Sequence, residues 1–165
     1  VTKPHTYRDV VRREWIDYNG HMSEAFYVLV FGYATDRVMD ALGMDEDYRR
    51  RTGNSLYTVE AHIRYLRQAV LGDELTVTTS VVGSGAKKLH LAHEMHVGGE
   101  LAATEELLGL HVGAGDKTVP FDGAVAAEIA RALPGPDRHP PDWIGRAVQS
   151  GPAQSGAAQS NQGRS

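Results

Sequence analysis

The chain has 165 residues, with 17 basic and 21 acidic side chains, a net charge of −4 and 41% hydrophobic residues. That length fits one domain with an ordinary core, and a weakly acidic chain without a basic block argues against a nucleic-acid partner. Cys is absent, which removes thiol nucleophiles, thiolate metal sites and disulfides together and fits a reducing compartment.

In chain order, Tyr7 to Arg13 reads as a short strand leading to Trp15. Met22 to Leu42 is too long for a strand, and Tyr27, Val30, Phe31, Ala34, Val38, Ala41 and Leu42 recur at helical spacing. Ala25 to Phe31 is apolar nearly all round, so this helix is expected to be wrapped by other structure. Gly43 is the expected stop, and Asp45 to Arg51 adds a helical turn. After Gly53 the period changes to two. Tyr57, Val59, Ala61, Ile63 and Tyr65 fall on one face of a strand, with Thr58, Glu60, His62 and Arg64 on the other. Leu75 to Val81, Leu89 to Val97 and Leu101 to Val112 are three further strands, separated by the glycine turns at 72, 83–85 and 98–99. Gly123 to Leu133 is a short helix. The following prolines punctuate an irregular segment in which Trp143 is a docking anchor. The order predicts an α+β fold, a curved antiparallel sheet wrapped around one long central helix. One domain spans residues 1–145, with its core at 7–133. The Gly/Ser/Gln-rich tail, 146–165, has too little apolar content to offset its ordering entropy and is read as disordered. Open sheet edges favour pairing with a second copy. No apolar run reaches the roughly 18 residues of a membrane span, and Val1 to His5 lacks a signal-like apolar stretch. A cytoplasmic protein without a membrane partner is expected.

The stretch from Glu14 to Phe31 carries the chemistry. Asp17 precedes the helix, and the Asn19-Gly20-His21 turn separates the two. An acid beside the free N–H groups of a first helical turn can act as base or nucleophile across from a developing oxyanion; the plainer reading is a carboxylate that only caps the helix. His90, Glu94 and His96 share a strand face, but the two histidines lie about 20 Å apart at strand rise and cannot meet on one ion, so no metal site is expected. Gly113 to Thr118 lacks the full phosphate-loop spacing and reads as a turn. Lys87 and Lys88 follow a glycine loop and are either a solvated hairpin end or a contact to a phosphate. Glu60 and His62 belong to a face that is solvent- or subunit-facing, which a two-fold partner could turn into part of a pocket.

Asp17-Tyr18-Asn19-Gly20-His21-Met22, followed by Tyr27 and a long helix, resembles the hotdog-fold acyl-CoA thioesterases of the 4-hydroxybenzoyl-CoA type. With the blocks Tyr57 to Arg64 and Lys88 to His90, the likeness is nearest the thioesterase domain associated with L-carnitine dehydrogenases. The resemblance implies hydrolysis of a small acyl-CoA, betainyl-CoA to glycine betaine and CoA, without a cofactor beyond the CoA of the substrate. It implies Asp17 as the catalytic carboxylate and backbone N–H groups at Met22, Ser23 and Glu24 as oxyanion donors. It further implies a homodimer or a tetramer of dimers, and fusion to or association with a carnitine dehydrogenase. Ser23 stands where the family commonly has Asn, and Gly32 falls near the acid that selects a 4-hydroxybenzoyl group, so that substrate is not expected. A trimethylammonium acyl group favours aromatic faces and a carboxylate; Trp15, Tyr18, Tyr27, Tyr57, Glu60 and His62 are the pocket candidates, and Lys87 and Lys88 the candidates for a CoA phosphate. The competing reading is a non-catalytic acyl-CoA or small-ligand binding module of the same fold.

Overall fold

A computed structural model of the chain describes residues 4–137 and 139–148. The strands are β1 (His5–Val10), β2 (Ser55–Tyr65), β3 (Glu74–Ser84), β4 (Lys88–Val97), β5 (Glu100–Gly113) and β6 (Lys117–Thr118); the helices are α1 (Glu24–Ala41), α2 (Glu46–Thr52) and α3 (Gly123–Ala132). The strands form one antiparallel sheet in the order β1-β3-β4-β5-β2, with β6 paired to the end of β5. This is the curved sheet around a long helix that the element order predicts. The two-residue β6 was not foreseen, because a strand that short carries no periodicity. Most of the tail expected to be disordered, 149–165, lies outside the described residues.

α1 lies across the inner face and packs on β1 and β3. Its Tyr27, Val30, Phe31 and Ala34 join Leu75, Val77, Met95 and Ala103 in one apolar cluster. Its Val38, Met39 and Leu42 join Val81, Leu89, Leu91 and Leu107 in another, closed by Val125 and Ile129 of α3. Burying a side chain such as Phe31 completely contributes about 2–3 kcal/mol, so this face fixes the helix on the sheet. The sheet therefore wraps one face of α1 as expected, while among the described residues the other face is bare: Val28, Leu29 and Tyr33 are 46%, 38% and 37% exposed. The apolar run at 25–31 records one covered face and one bare one.

A row of polar residues divides the two clusters. Thr79 pairs with His93 across β3 and β4, and His93 with Glu105 across β4 and β5; all three side chains are buried, as is Thr35 of α1. Thr35 Oγ1 donates to the Phe31 carbonyl at 3.0 Å and so accepts from His93 Nε2 at 3.2 Å, which leaves Nδ1 to accept from Thr79 Oγ1 at 2.8 Å. This network assigns a neutral imidazole with its proton on Nε2. Burial agrees, pushing the His93 pKa down to about 3. Glu105 Oε2 sits 3.6 Å from Nε2, too far for a hydrogen bond, and has no other partner among the described residues. Its carboxyl is pushed up to about 7 by burial.

Candidate active site

The loop before α1 is built by its own backbone. Asp17 N–H donates to the His21 carbonyl at 2.9 Å, and Gly20 N–H to the Asp17 carbonyl at 3.0 Å. Gly20 takes φ +81°, a value that side-chain-bearing residues rarely adopt. Asp17 Oδ1 accepts from the Asn19 amide at 2.8 Å, an Asx turn that fixes the carboxylate's orientation. Oδ2 has no partner among the described residues. Asn19, Gly20 and His21 thus act as the frame of Asp17.

α1 begins at Glu24, with Ser23 extended and making no side-chain cap. Here the sequence reading needs correction. The Met22 amide donates to the Ala69 carbonyl at 2.8 Å and the Ser23 amide to the Trp15 carbonyl at 2.9 Å. Both are spent on seating the helix start and cannot also hold an oxyanion. The amides without an acceptor among the described residues are those of Glu24 and Ala25, the first two positions of the helix, as helix geometry requires. The free N–H groups are therefore those of Glu24 and Ala25, where the helix dipole is most positive.

A cleft of about 820 Å³ opens at this point, lined by Asp17, Asn19, His21, Met22, Glu24 and Tyr27 on one side and residues 65–68 on the other. Tyr27 is held there: its hydroxyl donates to the Arg67 carbonyl at 3.2 Å and accepts from the Ala69 amide at 3.0 Å. Burial raises its pKa. Its ring stands edge-on to Tyr65, with centroids 5.3 Å apart and an interplanar angle of 87°. Arg67 pairs with Glu100.

Of the other pocket candidates, Trp15 is buried, stacked on Phe26 at 5.7 Å with the Arg12 guanidinium over its ring. It supports the loop from beneath. Tyr18 is 97% exposed and does not line the cleft. Tyr57, Glu60 and His62 lie on the outer sheet face, away from α1. A bulge at Val59 causes this: Tyr57 pairs with Leu110 and Glu60 with Leu108, whereas Ala61 and Ile63 pair with Leu107 and Glu105 of the inner face. Strict alternation from Tyr57 to Tyr65 is broken by that one extra residue. His62 instead lines a surface recess with Arg64 and residues 146–148. Lys87 and Lys88 are exposed, and Lys87 Nζ donates to the Thr118 carbonyl at 3.2 Å. Lys88 pairs with Leu110 and Tyr65 with Ala103. The seven steps along β5 from Ala103 to Leu110 place the lysines about 23 Å along the strand from the cleft within one chain.

Three residues were not foreseen in these roles. Tyr65 was read only as a strand residue, Glu24 only as a backbone donor, and Glu105 not at all. A signal existed for Tyr65, which stands two positions beyond the inward Ile63. None existed for the meeting of Glu105 with His93, which depends on strand register. On the outer face, His90 Nε2 and Glu106 Oε1 are 2.8 Å apart. Glu106 Oε2 accepts from the Gly145 amide at 2.7 Å, and Trp143, buried, donates to Glu94 at 3.3 Å. These contacts lay the segment after Pro134 across the sheet, over a recess of about 530 Å³ that contains none of the loop residues.

A family model described as the thioesterase-like superfamily matches residues 11–129. A betainyl-CoA thioesterase of Pseudomonas aeruginosa is 39% identical over 153 residues, covering 87% of this chain and 92% of that protein. An L-carnitine dehydrogenase/betainyl-CoA thioesterase of Agrobacterium fabrum is 48% identical over 99 residues, which are 59% of this chain and 20% of that longer protein. Among solved structures, a putative thioesterase of Pseudomonas putida superposes with a TM-score of 0.78 at 36% identity, covering 93% and 99% of the two chains. A hypothetical protein of Staphylococcus aureus in complex with CoA gives 0.82 at 27% identity, covering 90% and 96%.

Proposed function

The chain belongs to the thioesterase-like superfamily, and on that premise we propose that it hydrolyses betainyl-CoA to glycine betaine and CoA. The carrying observation is a carboxylate framed by its own loop in the same cleft as Glu24, whose amide opens a helix start with two unsatisfied N–H groups. A thioester is already activated, so one base or nucleophile and a pair of oxyanion donors suffice, and no resident cofactor enters the scheme. The thioester carbonyl oxygen lies against the Glu24 and Ala25 amides. Asp17 then either takes the proton of a water that attacks the carbonyl carbon or attacks it itself, and CoA departs as the thiolate. In the second case a water hydrolyses the resulting acyl–Asp17 anhydride to release glycine betaine and restore the carboxylate. The helix dipole stabilises the charge that develops on oxygen.

The free edge of β2 completes the reading. Among the described residues β2 pairs only with β5, and Tyr57 and Val59 beside that edge are 50% and 53% exposed. Antiparallel pairing of two β2 edges about a two-fold axis brings the far end of the partner's sheet, with the partner's Lys87 and Lys88, toward the Asp17 cleft. That arrangement offers positive charge to the CoA phosphates, which the same chain's lysines cannot reach. Aligned relatives that join this domain to a carnitine dehydrogenase support a role beside such an enzyme.

The test is Asp17→Asn, followed by free-thiol release from betainyl-CoA. Turnover is expected to fall by roughly two or more orders of magnitude, the scale of losing a general base, with the unfolding midpoint retained. Turnover within a few-fold of wild type would remove Asp17 from the mechanism and favour the binding-module reading.

A further inference from the structure

We propose that Glu24 and Tyr65 form the subsite that selects a quaternary-ammonium acyl group, an assignment that rests on the substrate reading above. Ordinary bond lengths put the ammonium nitrogen of such a group about 2.5 Å from the reacting carbonyl carbon, as in any N–C–C unit. With the carbonyl against the Glu24 and Ala25 amides, the cation must be recognised inside the same cleft. The groups that line it there are the Glu24 carboxylate, the Tyr27 and Tyr65 rings and Arg67.

Their chemistry fits a cation. Glu24 is exposed to the cleft and has no basic partner among the described residues, whereas Arg67 is engaged by Glu100. Tyr27 is locked by two hydrogen bonds and in turn holds Tyr65, which keeps 47% of its surface open. Behind Tyr65 stands Glu105. Its pairing with Ile63 makes it the diagonal cross-strand neighbour of Tyr65 on the inner face. Its Oε2 is buried without a donor, and the nearest basic group, His93, is held neutral by its two threonines. The Tyr65 hydroxyl registers the combined effect: its pKa is raised by burial first, then by the charges of Glu24 and Glu105. An aromatic face beside the Glu24 carboxylate, which no cation balances among the described residues, attracts a methylated ammonium, which cannot hydrogen-bond and is held by charge and ring contact alone. A neutral acyl group of the same shape gains only the apolar contact.

The experiment compares kcat/KM for betainyl-CoA with that for its uncharged isostere, 3,3-dimethylbutanoyl-CoA, in the wild type, Glu24→Gln and Tyr65→Leu. The ratio of the two values is the readout, because a change in the oxyanion site or in folding affects both esters alike. Wild type is expected to prefer betainyl-CoA, and the ratio to fall about tenfold or more in each variant. Glu24 is exposed, so Glu24→Gln keeps the fold even if Tyr65→Leu does not. A wild type that prefers betainyl-CoA, with the ratio unchanged in Glu24→Gln, overturns this subsite alone. A wild type that turns over both esters without preference overturns the substrate reading, and the subsite with it.

Discussion

Glu105→Gln separates the cost of a buried carboxylate from everything else in the core. The folded chain holds this carboxyl near 7 against an ordinary value of 4.5, and 7 − 4.5 leaves 2.5 pH units between them. At about 1.4 kcal/mol for each, the full effect is on the order of 3 kcal/mol. The sign follows from linkage. A group whose pKa is raised on folding contributes its stability in acid, and that contribution is lost as pH rises from about 4.5 through 7. Most of the loss, roughly 2–3 kcal/mol, falls between pH 5 and pH 8. Gln has the same shape and cannot ionise, so the variant escapes the loss. Urea unfolding of both proteins at pH 5 and pH 8 gives four stabilities, and the variant should gain roughly 2–3 kcal/mol on the wild type between the two conditions. The packing cost of the new amide is present at both pH values and cancels. Parallel pH dependence in the two proteins would mean that Glu105 ionises freely in the fold, with water or a mobile neighbour reaching Oε2.

His93 produces the opposite limb. With its pKa lowered to about 3, the wild type should lose stability as pH falls from 6.5 toward 3, and His93→Gln should flatten that limb in an acid titration followed by circular dichroism. Gly109→Ala should cost about 1–3 kcal/mol in urea unfolding, because a Cβ there would lie 2.7 Å from Leu56 Cγ; an unchanged midpoint would show that Leu56 has room to turn away. Val59→Lys places a charge beside the free β2 edge, so the proposed dimer should fall to monomers in sedimentation and KM for the acyl-CoA rise with it. A variant that stays assembled with an unaltered KM would remove this edge from the proposed dimer.

The architecture was legible because it rests on local periodicity. Helical spacing from Tyr27 to Leu42 and alternation in Leu75 to Val81 and Leu89 to Val97 are properties of short windows, and the glycine turns mark their ends. The Asp17 loop was legible for the same reason, since the carboxylate, the turn and the helix lie within eight residues. What escaped depends on register or on backbone commitments made elsewhere. Met22 and Ser23 looked like donors until the Ala69 and Trp15 carbonyls claimed them, and Ala69 is remote in sequence. Tyr57 and Glu60 looked divided between two faces until one bulge at Val59 put both outside. The polar row is the clearest instance. Thr79, His93 and Glu105 each interrupt an otherwise apolar inner face, on three different strands, and only the antiparallel pairing lines them up. Such a row weakens a core that apolar residues would hold better. Its arrangement is also uneven, with His93 fully satisfied and Glu105 left with a bare oxygen beside Tyr65. Burial without a donor pushes the Glu105 carboxyl up to about 7, so the row sets a histidine held neutral beside a carboxyl that loses its proton near neutral pH.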